Sequence, residues 1–167
     1  MQEAPPLRVH LRWLLRRDQD AVQRIEVESF KFPWGEKEFL RCLRERHTIG
    51  MVAEVGQGIL GFMIYELHKT RLHVLNFAVA QEHRRQGIGR ALFARLAGKL
   101  SLEGRSRILL EIRESNLAAQ LFFRACGCHY IDTFRAHYED TPEDAYVFEY
   151  RLGAAQPATQ EDSCHGR

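Results

Sequence analysis

No stretch of the 167-residue sequence approaches the roughly 18 consecutive apolar residues of a membrane-spanning helix. The first 17 residues also lack the apolar core and small-residue cleavage site of a secretory signal, so a cytoplasmic location without a membrane partner is expected. Charge of one sign is scarce: 24 Lys and Arg stand against 22 Asp and Glu, a formal net charge of +2. That balance argues against nucleic acid held by bulk electrostatics, and any anion site has to be local. Cysteine is sparse, with only Cys42, Cys126, Cys128 and Cys164. One residue separates Cys126 from Cys128, against the two of common zinc knuckles, and no second pair accompanies them. The eight histidines show no His-x-x-x-His spacing. No metal is therefore expected; the thiols read as buried or half-buried groups of a reducing compartment, and the histidines as satisfied surface or core residues. Two nucleotide signatures are missing as well. No Gly-Lys-Ser or Gly-Lys-Thr ends a phosphate loop, and no three-glycine turn follows an early strand.

What is present is apolar material, 45% of residues, enough for one core but hardly two. A single domain over 1–152 is expected. From Gly153 the composition turns to Ala, Gln, Pro, Thr and Ser, which predicts a disordered tail at 153–167. Leu7, Val9, Leu11 and Trp13 alternate with polar residues as in a half-buried strand. Asp18 or Asp20 can cap a helix carrying Ala21, Val22 and Ile25, and Pro33 breaks the chain before a second helix over 36–46. Strands at 49–55 and 59–67 flank the hairpin turn Gly56-Gln57-Gly58, and 72–79 reads as an interior strand buried on both faces. The strongest helix is Gly87 to Leu102, with Ile88, Leu92, Leu96 and Leu100 in one row. A short strand at 108–112 follows, then a helix from Leu117 to Ala125, capped by Ser115 or Asn116 and stopped by Gly127. Strands at 130–135 and 145–152 close the series. Antiparallel runs followed by strand-helix-strand crossovers predict a mixed α/β sheet.

Chemistry concentrates in two places. In the first, a strand ending at Phe77-Ala78-Val79 runs into Arg84-Arg85-Gln86-Gly87-Ile88-Gly89-Arg90, and this loop opens directly onto the strongest helix. Unpaired amides at a helix start, glycines that let an anion approach, and arginine donors together describe a phosphate or pyrophosphate site. The same glycines would also suit a plain tight turn; the strand before and the helix after supply the context for an anion. The second place is Glu111, which interrupts the apolar run 108–112. A carboxylate there is costly to bury ionised unless paired or hydrated, and its structural reading is a salt bridge to Arg113 or another arginine.

Arg84 to Gly89 resembles the Q/R-x-x-G-x-G/A signature of the GNAT superfamily. Phe32-Pro33-Trp34 with Glu36-Lys37-Glu38-Phe39, Asn76-Phe77-Ala78-Val79, Leu110 through Asn116, and His137-Tyr138 before Glu143-Asp144-Ala145 are similar, in order and spacing, to the RimI-type ribosomal-protein-alanine N-acetyltransferases. The resemblance runs from about Leu7 to Leu152. It implies an α+β GNAT fold: one mixed, mostly antiparallel sheet with splayed central parallel strands and about four helices. It also implies acetyl-CoA as cosubstrate, its pyrophosphate on the loop from Arg84 through Arg90, with backbone groups of Phe77, Ala78 and Val79 beside the acetyl carbonyl and pantetheine. Asn116 matches a further cofactor contact, although it suits an ordinary helix cap equally. Glu111 matches the family's general base, which takes a proton from the incoming amine. The family's general acid, a tyrosine twelve residues later, is here Phe123, which has no proton to give. Water, Tyr130 or Tyr138 remain as substitutes. Phe32, Pro33, Trp34 and Tyr138 match the acceptor groove, and as aromatic packing they would suit the fold as well. The expected activity is acetylation of the N-terminal amine of a protein, a ribosomal protein foremost. A small amine as acceptor, or a non-catalytic acetyl-CoA-binding module suggested by Phe123, stays open.

Overall fold

The computed structural model describes residues 7–153. Of the tail expected at 153–167, all but Gly153 lies outside the described residues. The elements follow the predicted order: β1 (His10–Trp13), α1 (Gln19–Ser29), α2 (Glu36–Arg44), β2 (Thr48–Val55), β3 (Gly58–Leu67), β4 (Arg71–Val79), α3 (Ile88–Ala97), β5 (Arg107–Arg113), α4 (Leu117–Ala125), β6 (His129–Phe134) and β7 (Ala145–Arg151). Local chemistry sets several of these limits. Pro33 follows the extended Phe30 that ends α1, and Glu38 reaches back to accept the Gly35 N–H at 2.7 Å where α2 begins. Helix α3 stops at Ala97, short of the expected Leu102, because the chain tightens there: Lys99 and Leu100 N–H groups bond to Leu96 and Ala97 carbonyls, three residues back. Leu100 is buried all the same.

The seven strands form one sheet in the order β1-β2-β3-β4-β5-β7-β6, antiparallel throughout except for the parallel pair β4–β5. Each face carries a core layer. On one, Val22 and Ile25 of α1 and Phe39 of α2 cover Val52, Phe62, Ile64 and Ala78. On the other, Ile88, Leu92 and Leu96 of α3 and Phe123 of α4 cover Met63, Leu72, Val74, Leu110 and Phe148. Covering the sheet on both sides removes most of its apolar side chains from water, the main stabilising term for such a fold.

Strand β4 departs from the expectation of burial on both faces. Leu72, Val74, Asn76 and Ala78 are buried, while His73, Leu75, Phe77 and Val79 are half-buried. The register explains this. Tyr65 pairs with Val74 and Ile64 with Asn76, so Leu75 is a bulge without a partner. The extra residue swaps the faces, leaving Val74 in the α3–α4 layer and Ala78 in the α1–α2 layer.

Candidate active site

The bulge coincides with a fork in the sheet. Parallel pairing of β4 with β5 runs only from Arg71 and Arg107 to Val74 and Leu110. Beyond it β4 stays on β3 as far as Val79, and β5 stays on β7 as far as Arg113, so the strands part. Ala80 N–H bonds to Leu60 on the β3 side at 2.8 Å. Strand alternation therefore turns the N–H groups of Phe77 and Val79 towards the gap. The gap opens into a cleft of about 510 Å³ whose lining includes Glu26, Phe32, Pro33, Trp34, Phe77, Glu111, Asn116, Phe123 and Tyr138. A second hollow, about 450 Å³ between β1, α2 and β2, has no carboxylate, cysteine or histidine in its lining.

Where β4 ends, the loop prepares a helix N-terminus. Gly87 is the N-cap of α3 at φ +86°, and Arg85 also takes positive φ, at 61°. Among the described residues the N–H groups of 85–90 have no protein acceptor, as at a helix start that can receive an anion. A β-carbon at Gly87 would meet nothing within 4 Å, whereas one at Gly89 would lie 3.0 Å from the Phe122 ring. The first glycine is required by backbone conformation, the second by packing against α4. Arg85 and Arg90 are exposed at the loop. The Arg84 guanidinium is turned back to donate to Val79 O at 2.9 Å and Ser29 Oγ at 3.0 Å, tying the loop to β4 and α1.

Glu111, the first β5 residue beyond the paired segment, faces the cleft from its fork. Its carboxylate accepts from His73 Nε2 at 2.6 Å, not from an arginine. That bond, against the opposing effect of burial, raises the His73 pKa above its ordinary value. Arg113 is engaged elsewhere, with both Asp140 oxygens at 2.7 and 2.9 Å and Glu143 at 3.1 Å. Its guanidinium also lies 3.7 Å from the Tyr138 ring centroid and 4.9 Å from that of Phe32. It thus clamps β5, the α1–α2 connection and the β6–β7 loop around the cleft mouth.

These features can be compared with known proteins. The Acetyltransferase (GNAT) family matches residues 19–128. The chain belongs to this family. It is 32% identical over 132 residues to the [ribosomal protein bS18]-alanine N-acetyltransferase of Escherichia coli K12, covering 78% of this chain and 88% of that one. The crystal structure of the E. coli ribosomal-protein-S18-alanine N-acetyltransferase superposes with a TM-score of 0.77 at 27% identity, over 90% of this chain and 98% of that one. Arabidopsis thaliana NAA60 in complex with acetyl-CoA shares the fold alone, with a TM-score of 0.75 at 13% identity over 87% and 100% of the two chains. The fork, the bulge and the open helix start are thus features of a GNAT acetyltransferase.

In this GNAT chain the cleft gathers Glu111, Phe77, Asn116 and the four residues matched to the acceptor groove, whereas Ala78, Val79 and the loop from Arg84 to Arg90 lie outside its lining. Asn116 caps α4, its Oδ1 accepting from Ala119 N–H at 3.1 Å, and also lines the cleft. Phe123 is buried among Phe77, Phe93 and Phe122, with ring centroids 4.9 to 5.9 Å away, and reaches the cleft wall. Of the two substitute hydroxyls, Tyr138 lines the cleft, whereas Tyr130 is exposed on β6 and bonded to Thr133 at 2.8 Å. Burial pushes the Tyr138 pKa up to about 12, with Arg113 opposing. Trp34 and Phe39 stack edge to face at 5.3 Å, so Trp34 packs as well as lines. Cys42, Cys126 and Cys128 are free thiols, and burial raises the pKa of each, that of Cys128 to about 12. Sequence reasoning missed Glu26. It sits in α1 in register with Val22 and Ile25, is 1% exposed, and accepts from Trp34 N–H at 2.8 Å and Asn76 Nδ2 at 2.9 Å. Its signal was a carboxylate at the i+4 position of an apolar helix face.

Proposed function

We propose that the chain transfers the acetyl group of acetyl-CoA to the N-terminal α-amine of a protein in the cytoplasm, a ribosomal protein of the bS18 class being the acceptor the relatives suggest. The observation that carries this reading is the parting of β4 and β5 immediately before Glu111. It leaves a carboxylate facing an unpaired strand edge across a cleft, with an anion-binding helix start at the strand's end.

The pyrophosphate of acetyl-CoA fits the open amides of 85–90, with Arg85 and Arg90 beside them and no side chain at Gly87 to block approach. The thioester then extends along β4, where the Phe77 N–H, free on the gap side, donates to the acetyl oxygen as negative charge develops. The acceptor peptide enters between Phe32, Pro33, Trp34 and Tyr138. Glu111 takes a proton from the ammonium, directly or through water, and the freed amine attacks the carbonyl carbon. An N-terminal amine has a pKa of about 8, so roughly a tenth of it is already neutral at about pH 7 and attack on the thioester draws the proton transfer forward. Collapse of the adduct breaks the C–S bond and expels the CoA thiolate. Phe123 donates nothing, and the Tyr138 hydroxyl, which its raised pKa keeps protonated, is the donor we assign. A thiol pKa of about 8.5 makes this last protonation a modest contribution.

The test is Glu111→Gln, assayed by mass spectrometry on N-terminal peptides and small amines. Turnover should fall by roughly 10²- to 10⁴-fold with acetyl-CoA affinity nearly unchanged. Undiminished turnover on every acceptor would remove Glu111 from the mechanism, and turnover on small amines alone would replace the peptide acceptor.

A further inference from the structure

Behind Glu111, on the sheet face that carries α1 and α2, three side chains converge to which the proposed transfer assigns no chemical step. Glu66 stands near the end of β3, His68 is the first residue beyond it and meets the Glu66 carboxylate, and His73 of β4 pairs directly across from Glu66. Glu66 Oε2 lies 3.0 Å from His68 Nε2 and 3.8 Å from His73 Nδ1, and one ligand atom from each residue falls within 4.8 Å of the others. We propose that Glu66, His68 and His73 form a divalent-cation site, zinc being the ion their two imidazoles and one carboxylate suit best.

Three observations support this beyond the cluster itself. The first is the far side of His73. Its Nε2 is held by Glu111 at 2.6 Å, which leaves Nδ1 directed towards Glu66 and His68. A carboxylate bonded to the second nitrogen of a ligating histidine is the usual support behind zinc-binding imidazoles, fixing tautomer and ring orientation. The second is charge. The chain has 24 Lys and Arg, yet among the described residues Glu66 and Glu111 form ion pairs with histidines alone. The third is the anchoring of His68, whose backbone is fixed by its N–H to Arg71 O at 3.0 Å and by Arg105 Nε to its carbonyl at 2.6 Å. Tetrahedral zinc with ligands at about 2.0–2.2 Å needs donors roughly 3.3 Å apart, so closure requires only side-chain adjustments of about an ångström. Three protein ligands leave a fourth position for water or an exogenous ligand.

The experiment is zinc titration of the full chain against a competing chelator, with thermal unfolding as a second readout. One ion per chain should bind, and zinc should raise the unfolding temperature. His68→Ala and Glu66→Gln should each weaken binding at least tenfold and abolish the thermal shift, while His10→Ala, which alters an exposed histidine on β1, leaves both intact. Glu111→Gln, which removes only the carboxylate behind His73, should weaken binding by roughly 10- to 100-fold. A Cys164→Ser/His165→Ala chain should bind as the parent does. Parent-like affinity in His68→Ala, or loss of binding in the Cys164→Ser/His165→Ala chain, would overturn the site.

Discussion

Glu26 places a carboxylate where it is 1% exposed, and two donors, Trp34 N–H and Asn76 Nδ2, point at it. Burial raises its pKa above the usual carboxylate range, the two hydrogen bonds opposing. The folded chain therefore binds this proton more tightly than the unfolded chain. Its contribution to stability is fully present below the unfolded carboxylate value of about 4.3 and is lost as pH rises through the raised native value. Glu26→Gln removes the titration and keeps the shape. Its amide oxygen can accept from Trp34, while its NH₂ meets the Asn76 oxygen, which now lacks a partner, once that amide flips. Denaturant unfolding should find Glu26→Gln closest to the parent near about pH 4 and increasingly more stable than the parent as pH rises. A gap independent of pH would show that the carboxylate does not titrate in that range. Glu26→Ala should be destabilising at every pH, by roughly 1–3 kcal/mol for each donor left unpaired.

At the scale of elements, the loop into α3 separates two uses of glycine. Gly87→Ala puts a β-carbon into open space but at φ +86°, where an L-residue costs roughly 1–2 kcal/mol. That open space is where the pyrophosphate is placed above, so acetyl-CoA affinity should fall at least tenfold by calorimetry. Gly89→Ala instead drives a β-carbon to 3.0 Å from Phe122, whose ring packs on Phe77 and Phe123 at the cleft wall. Its main effect should be on the unfolding temperature, and equal effects of both changes on affinity alone would contradict the division. These elements were readable in the sequence because period-2 and period-3.6 patterns are local: every strand and helix appears where its pattern stood, with ends displaced by a few residues. The Leu75 bulge was not readable, since nothing about Leu75 itself announces a missing partner. Nor was the meeting of Glu66, His68, His73 and Glu111. A search for ligand spacing along a helix passes over residues that come together through strand register, and a carboxylate beside Arg113 in sequence proved to bond a histidine 38 positions away.

At the scale of the molecule, the sheet consists of two antiparallel blocks, β1–β4 and β5–β7, whose backbone ladders meet through four residue pairs, with the His73–Glu111 side-chain bond beside them. The blocks differ in how they can assemble. Short turns join β2, β3 and β4, so their pairing closes small loops. The pairing of Val74 with Leu110 closes a far longer one that includes α3, at greater entropic cost. The seam should therefore form late in folding and open early, and it should fray from the fork, where no further backbone pair secures it and the His73–Glu111 side-chain bond alone spans the two strands. In native-state hydrogen exchange, seam amides at the Val74 and Leu110 end should exchange faster than those at the Arg71 and Arg107 end, and the seam as a whole faster than the β2–β3 ladder. Uniform protection along the four pairs would argue against fraying. If it occurs, the same partial unzipping that marks the weakest line of the fold also lengthens the slot available to an entering chain end, so local instability and substrate admission would share one coordinate.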